Sequence, residues 1–347
     1  MDWERKSIRL GAAVICCAVL IRLFTGGAGT KLVSKLTGPK VMSTLLFLET
    51  GRVVRESVST FPTTIPTTVP TTLPSQTEPT PAATQPPTVA TQPEVFPVPV
   101  FSGEDARLVQ VNNVCGYETD VASSLLSPLS WDLTGEAPTV LIVHSHGTES
   151  YENTENYTES SPYRSKDVSY NVVSVGDRIV QVLEAAGIRA VHDRQLHDSP
   201  SYSSAYNNSR TSIQDYLARY PSIRLVLDIH RDAVEDGEGN QLGFTAQTPQ
   251  GTAAQLMLVV GSDASGLQHP DWPENMSLAV KLHAQLERLA PGICRPISFR
   301  SQRFNQDLSP GALIVEVGSA GNTRQEALLA ADILGAAILE LSHGTGK

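Results

Sequence analysis

Cysteine is scarce in this chain, with four residues in 347, and no two of them have the CxxC spacing of a structural zinc site. Cys16 and Cys17 lie in an apolar N-terminal run, which leaves Cys115 and Cys294 either to pair with each other or to stand as two free thiols. Positive charge is also short: the formal net charge is -10, and residues 101–347 carry 17 Lys and Arg against 30 Asp and Glu. That balance argues against nucleic acid as a partner. Phosphate-cradling glycine patterns are missing, both the P-loop and the dinucleotide fingerprint. Gly318-Ser-Ala-Gly321 is not a nucleophile elbow, because Val317 stands where that motif needs a glycine. Nucleotide enzymes and serine hydrolases are therefore poor readings.

The basic residues that do occur gather at the start, where residues 1–60 hold 9 Lys and Arg against 4 Asp and Glu. They flank the run Leu10 to Ile21, with Arg9 and Arg22 placed to snorkel from its two ends. An uncleaved transmembrane anchor over 1–26 with a cytoplasmic N-terminus is expected, and a cleaved signal peptide is the competing reading. In either case the remainder is exported. A membrane-proximal segment, 27–60, follows. Residues 61–100 then hold 11 of the 23 prolines and 11 threonines, beginning with the four-residue repeat FPTTIPTTVPTTLP. Such a tract cannot bury a core; it reads as a disordered, extended stalk of polyproline type at ~3.1 Å per residue.

From about residue 105 to 345 the pattern is that of one α/β domain. Apolar runs Thr139–Val143, Ile188–Val191, Ile223–Ile229, Leu256–Val260 and Leu313–Val317 read as strands. Helical spacing covers Val172 to Ala186 and Asn275 to Leu289, and Thr323-Arg-Gln-Glu326 is a capping-box start for a last helix running toward Gly344. Strands alternating with crossover helices predict a mainly parallel sheet with helices on both faces.

In such sheets chemistry collects beyond the carboxyl ends of the strands. Three predicted strands carry metal-capable or acidic groups there: His144-Ser-His146-Gly-Thr-Glu149 after the first, Asp228-Ile-His230-Arg231-Asp232 on the second, and Glu316 within Leu-Ile-Val-Glu-Val on the last. Two imidazoles and a carboxylate suit zinc. Of His144 and His146, only one is expected to ligate, His146 by preference, with His144 behind it or facing substrate. A carboxylate inside an apolar strand is costly without a role, and Glu316 is the candidate to move protons to and from a water attacking an amide. An oxygen-rich metal site built on Asp228 and Asp232 is a poorer alternative.

The strings HSHGTESY, Val175-Gly-Asp-Arg178, Val191-His-Asp193, His197-Asp-Ser-Pro-Ser-Tyr202, Leu227-Asp-Ile-His-Arg-Asp-Ala233 and Arg303-Phe-Asn-Gln-Asp-Leu-Ser-Pro-Gly-Ala312 resemble the stage II sporulation protein P family over about 105–345. The resemblance implies an amidase-like fold and a zinc-dependent N-acetylmuramoyl-L-alanine amidase acting on peptidoglycan during engulfment, with endopeptidase action on cross-links. It implies His146, Glu149 and His230 as metal ligands and Glu316 as the catalytic acid/base, with Asp167 the alternative to Glu149. Arg231, Arg303, Asn305 and Gln306 are candidates to bind the substrate. The implied partners are a lytic transglycosylase, stage II sporulation protein D, and a membrane anchoring protein, and the implied location is the cell membrane with the catalytic domain extracytoplasmic, on the mother-cell side of the septum. A catalytically silent wall-binding scaffold of the same fold is the rival.

Overall fold

The computed structural model describes residues 99–152 and 163–345. The expected anchor, the membrane-proximal segment and nearly all of the Pro/Thr stalk lie outside the described residues. Among the described residues no helix is long and apolar enough to cross a membrane.

In chain order the elements are β1 (Val111–Asn113), α1 (Val121–Leu126), β2 (Val140–Val143), α2 (Val172–Ala185), β3 (Ala190–His192), α3 (Ala205–Arg219), β4 (Leu225–Asp232), β5 (Thr245–Thr248), β6 (Gly251–Ala254), β7 (Leu256–Val260), α4 (Trp272–Leu289), β8 (Ile297–Phe299), β9 (Ala312–Ser319) and α5 (Arg324–Glu340). The seven-stranded sheet has the order β1-β8-β7-β9-β4-β2-β3, and β5 and β6 form a separate hairpin. Every pairing in the large sheet is parallel except β7 with β9. The sheet is therefore two parallel halves running in opposite directions and joined at β7/β9. The fold is mixed α/β with a mostly parallel sheet, as expected, but the change of direction is not something an apolar run encodes.

Strand alternation sorts the side chains between two cores. Val140 and Ile142 of β2, Leu225, Leu227 and Ile229 of β4, and Leu313, Val315 and Val317 of β9 enter the larger core with residues of α2, α4 and α5. Leu141, Val143, Val226 and Ala312 face the other way, onto Ile213, Tyr216 and Leu217 of α3. Asp228 and His230 share the parity of Val226, and Glu316 that of Ala312. These three polar residues therefore extend the α3 face toward the carboxyl ends of β4 and β9.

The helices begin where the sequence supplies caps. The Asn171 side chain accepts from the Val173 amide at the head of α2. At the head of α5, Thr323 and Glu326 form the reciprocal capping box that their spacing predicts. Periodicity misses both the short α1 and the longer α3, along which only Ala205, Ser209 and Ile213 are buried, so its apolar stripe is too thin to register.

Gly176 on α2 sets how closely that helix approaches the sheet. A Cβ added there would lie 2.7 Å from Nε2 of His192 and 2.8 Å from Nε2 of His144. Both rings are held, so the helix would have to back away. Gly176→Ala is expected to lower stability by about 1–3 kcal/mol in spite of its better helix propensity, measured as a urea midpoint. A gain in stability would contradict this packing.

Candidate metal centre

The site grows from the register of β4 against β9, which pairs His230 directly with Glu316. Parallel neighbours in one row project to the same face, so the imidazole and the carboxylate lie side by side. Glu149 joins them from the turns after β2. Its segment is held by the bridge Glu149 to Arg164 and by the hydrogen bond from the Val172 amide to the Glu149 carbonyl. One ligand atom from each of Glu149, His230 and Glu316 lies within 4.8 Å of the other two, and all three residues are buried.

Asp228 sits one step down the same face of β4 and orients the histidine. Its Oδ1 lies 2.9 Å from His230 Nε2, while His230 Nδ1 lies 3.3 Å from Glu149 Oε2. Asp228 is fixed in turn by Ser145, whose amide donates to Oδ1 at 2.7 Å and whose hydroxyl donates to Oδ2 at 2.5 Å. The result is a carboxylate behind one ring nitrogen with the other nitrogen turned toward the acids, the arrangement that fixes a metal-binding histidine. Burial, the largest single influence, disfavours the His230 cation, but Asp228 and Glu149 together outweigh it and hold its pKa well above the usual range.

His146 closes the group from another side. β2 ends at Val143 and the chain turns over residues 145–148, so His144 keeps the parity of Val140 and Ile142 while His146 is carried across to the α3 face. The His146 ring lies 5.4 Å from that of His230 at 86° and stacks on Tyr202 at 4.2 Å and 9°. Tyr206, at the start of α3, meets His146 edge-on at 5.4 Å. Behind them Asp198 lies 4.0 Å from His146 Nδ1, and it accepts from the Thr148 amide and hydroxyl and from Arg164 at 3.0 Å.

The chemistry of these groups tests whether a metal fits. Carboxylates taken out of water cost several kcal/mol each unless cations compensate, and here Glu149, Asp228 and Glu316 are gathered together. Arg231 Nη1 and Arg164 Nη2 stand 3.9 and 4.0 Å from Glu149 Oε1, and the His230 ring lies between Asp228 and Glu149. One imidazole nitrogen and two carboxylate oxygens within a few ångströms, with a second imidazole adjacent, form a donor set that suits zinc.

The other residues singled out from sequence are placed elsewhere. His144 faces away from the centre: Nδ1 meets the Ile229 carbonyl at 2.9 Å and Nε2 meets His192 Nε2 at 2.8 Å. Asp167 is exposed and accepts from the Ser169 amide in its own turn. Arg231 is buried and braces the backbone, donating to the carbonyls of Ser150 and Tyr163, while its amide donates to Glu149. Gln306 spans the Gly261 amide and the Val259 carbonyl. Asn305 donates to the Tyr206 carbonyl and to Ser209, which fixes the start of α3. Arg303 pairs with Asp307 and donates to the Gln268 carbonyl. In the folded chain these side chains hold loops in place and are committed to partners within the protein. Cys115 and Cys294 are both free.

The sequence alone does not pair Asp228 with His230 or point to Tyr206, and it offers Asp198 and Tyr202 only as members of a motif string, without a role. Asp228 had a usable signal, its i, i+2 spacing from His230 on one strand. Tyr202 stands on the short turn Tyr202–Ser204 just before α3, and Tyr206 reaches the histidines through α3, whose weak periodicity hid it.

Burial pushes three histidines down: His144 to about 3, and His192 and His283 each to about 4. In each the folded pKa lies below the unfolded value of ~6.5, so the unfolded chain takes up more protons as pH falls through that window. His230, shifted the other way, has its contribution fully in place below ~6.5 and adds no slope there. The urea midpoint of the metal-free protein is expected to fall as pH goes from about 6.5 toward 4.5, above the range where most carboxylates titrate. A flat profile would contradict the buried, neutral state of these rings.

A family model described as Stage II sporulation protein P matches residues 77–339. The chain is 30% identical over 211 residues to the Stage II sporulation protein P of Bacillus subtilis (strain 168), a stretch that makes up 57% of this chain and 50% of that protein. The chain thus spans about half the length of that curated relative. Among solved structures it is similar to the N-acetylmuramoyl-L-alanine amidase AmiC2 of Nostoc punctiforme, with TM-score 0.38 and 15% identity, over 59% of this chain and 98% of that one. It is also similar to the N-acetylmuramyl-L-alanine amidase Ami1 from Mycobacterium smegmatis, with TM-score 0.35 and 14% identity, over 60% and 97% of the two chains. At such TM-scores these two likenesses carry no argument about activity.

Proposed function

The chain belongs to the stage II sporulation protein P family, and from that membership we propose that it is a zinc-dependent peptidoglycan hydrolase, tethered to the membrane by its N-terminus, that cleaves the amide between the glycan lactyl group and the stem peptide. Action on peptide cross-links by the same centre is part of the proposal, as is an extracytoplasmic, mother-cell-side location with a lytic transglycosylase, stage II sporulation protein D, and an anchoring protein as partners. The observation that carries the reading is the buried convergence of Glu149, His230 and Glu316 at the carboxyl ends of β4 and β9, with His146 against it.

His146, Glu149 and His230 would hold the metal. A zinc ion there would supply Lewis acidity toward the scissile carbonyl and would make a water acidic enough to attack near neutral pH. Glu316 takes the proton released as the water oxygen attacks the amide carbon, and gives it to the nitrogen as the carbon–nitrogen bond breaks, so that acid and amine products balance. Asp228 keeps His230 turned with Nδ1 toward Glu149. Tyr202 and Tyr206 pack against the histidine rings and limit water at the centre. A silent scaffold gains nothing from gathering Glu149, His230 and Glu316 out of water, because burying charged groups costs free energy even when they are partnered.

Digestion of purified peptidoglycan by the chain, stripped of metal and then resupplied with zinc, tests this against Glu316→Ala, with products resolved by mass spectrometry. Stem peptides free of muramic acid are expected only with zinc, and the variant should lose on the order of 10²–10⁴ in rate, as removal of a general acid/base does. Products cut only within cross-links would make it an endopeptidase rather than an amidase. Equal cutting by the variant would remove Glu316 from the chemistry.

A further inference from the structure

A second group of donors lies on the other half of the molecule and shares no residue with the centre above. His283 and Glu287 are one helical turn apart on α4, so their side chains emerge on the same face. Cys294 lies just past the end of that helix. One ligand atom from each of the three is within 4.8 Å of the other two.

Each donor is held ready. His283 is only 2% exposed, and the backbone of Leu108 hydrogen-bonds its ring, yet Nδ1 is buried with no hydrogen-bond partner. Burial keeps this ring neutral at neutral pH, with a pKa of about 4, so the Nδ1 lone pair is available. A buried ring nitrogen without a partner is costly in a folded protein and calls for an explanation. Glu287 accepts from the amides of Gly292 and Cys294, both at 2.8 Å, which fixes its carboxylate, and the Cys294 thiol hydrogen-bonds the same carboxylate. Cys294 is pinned on both sides, by the Leu256 amide donating to the Ile293 carbonyl and the Arg295 amide donating to the Leu256 carbonyl. Burial first, and then the Glu287 carboxylate, push its thiol well above the ordinary value. A thiol beside a carboxylate keeps its proton unless a cation comes between them.

We propose that His283 Nδ1, Glu287 and Cys294 Sγ form a second, structural site for a zinc-like divalent ion, which clasps the end of α4 to the segment leading into β8. Sulfur and imidazole donors select zinc or a similar borderline metal over magnesium or calcium. On binding, the Cys294 S–H bond breaks, the sulfur–metal bond forms and the proton leaves to solvent. Drawing the three atoms to bonding distances of ~2.0–2.3 Å needs side-chain shifts on the order of 1 Å.

The test is titration of the full metal-free, reduced chain with Co²⁺, read as the thiolate-to-cobalt charge-transfer absorption, which the sulfur-free centre at His230 cannot give. The band is expected in the natural chain, in Cys115→Ser and in His230→Ala, and is expected to be lost in Cys294→Ser and at least tenfold weaker in binding in His283→Ala, as removal of a ligand requires. Absence of the band at saturating Co²⁺, or its persistence in Cys294→Ser, would overturn the site. Should circular dichroism show that these variants do not fold, the natural chain decides the matter: Zn²⁺ is expected to slow alkylation of Cys294 on the order of tenfold, mapped by mass spectrometry. Equal labelling with and without Zn²⁺ would overturn the proposal.

Discussion

The parallel pairing of β4 with β9 is the constraint on which the rest of the site depends. It sets His230 opposite Glu316, and strand alternation then leaves Asp228 on the same face to hold the histidine from behind. A shift of one residue in either strand would turn an acid or an imidazole into the core made with α2, α4 and α5, where Leu227, Ile229 and Val315 now sit. The two large apolar sets on that side therefore protect the register, and the register places the chemistry.

Around this pair the protein gathers carboxylates, with Arg164, Arg231 and the His230 ring among them. Glu149 arrives through turns braced by Arg231 and Arg164, and Asp228 through Ser145. The polar groups that sequence reading offers as substrate binders also brace the surrounding loops. Arg231 ties backbone carbonyls beside Glu149, Asn305 anchors the first turn of α3, and through α3 it sets Tyr206 against the histidines. Preorganisation of this kind suits the proposed activity, because reacting groups must be placed before a substrate arrives.

Much of the architecture was legible because buried strands announce themselves. Leu256–Val260 reads as an apolar run and is β7 with those bounds, and the capping box at Thr323 marks the start of α5. The acid in Leu-Ile-Val-Glu-Val was conspicuous for the same reason, as a charge where none is cheap. What stayed hidden has physical causes. An apolar run has no direction, so the reversal at β7/β9 could not be read. α3 buries too little to show a helical period. The turn after Val143, and not the spacing of His144 and His146, decides which of the two reaches the site.

The most direct test of the central claim is the position of anomalous scattering collected at the zinc edge from crystals of the chain grown with Zn²⁺. An ion bonded at ~2.0–2.2 Å to His230 Nδ1 and a Glu149 oxygen is expected, with nitrogen and oxygen ligands only and Glu316 beside it. Full zinc occupancy elsewhere on the chain with none between His230 and Glu149 would contradict it.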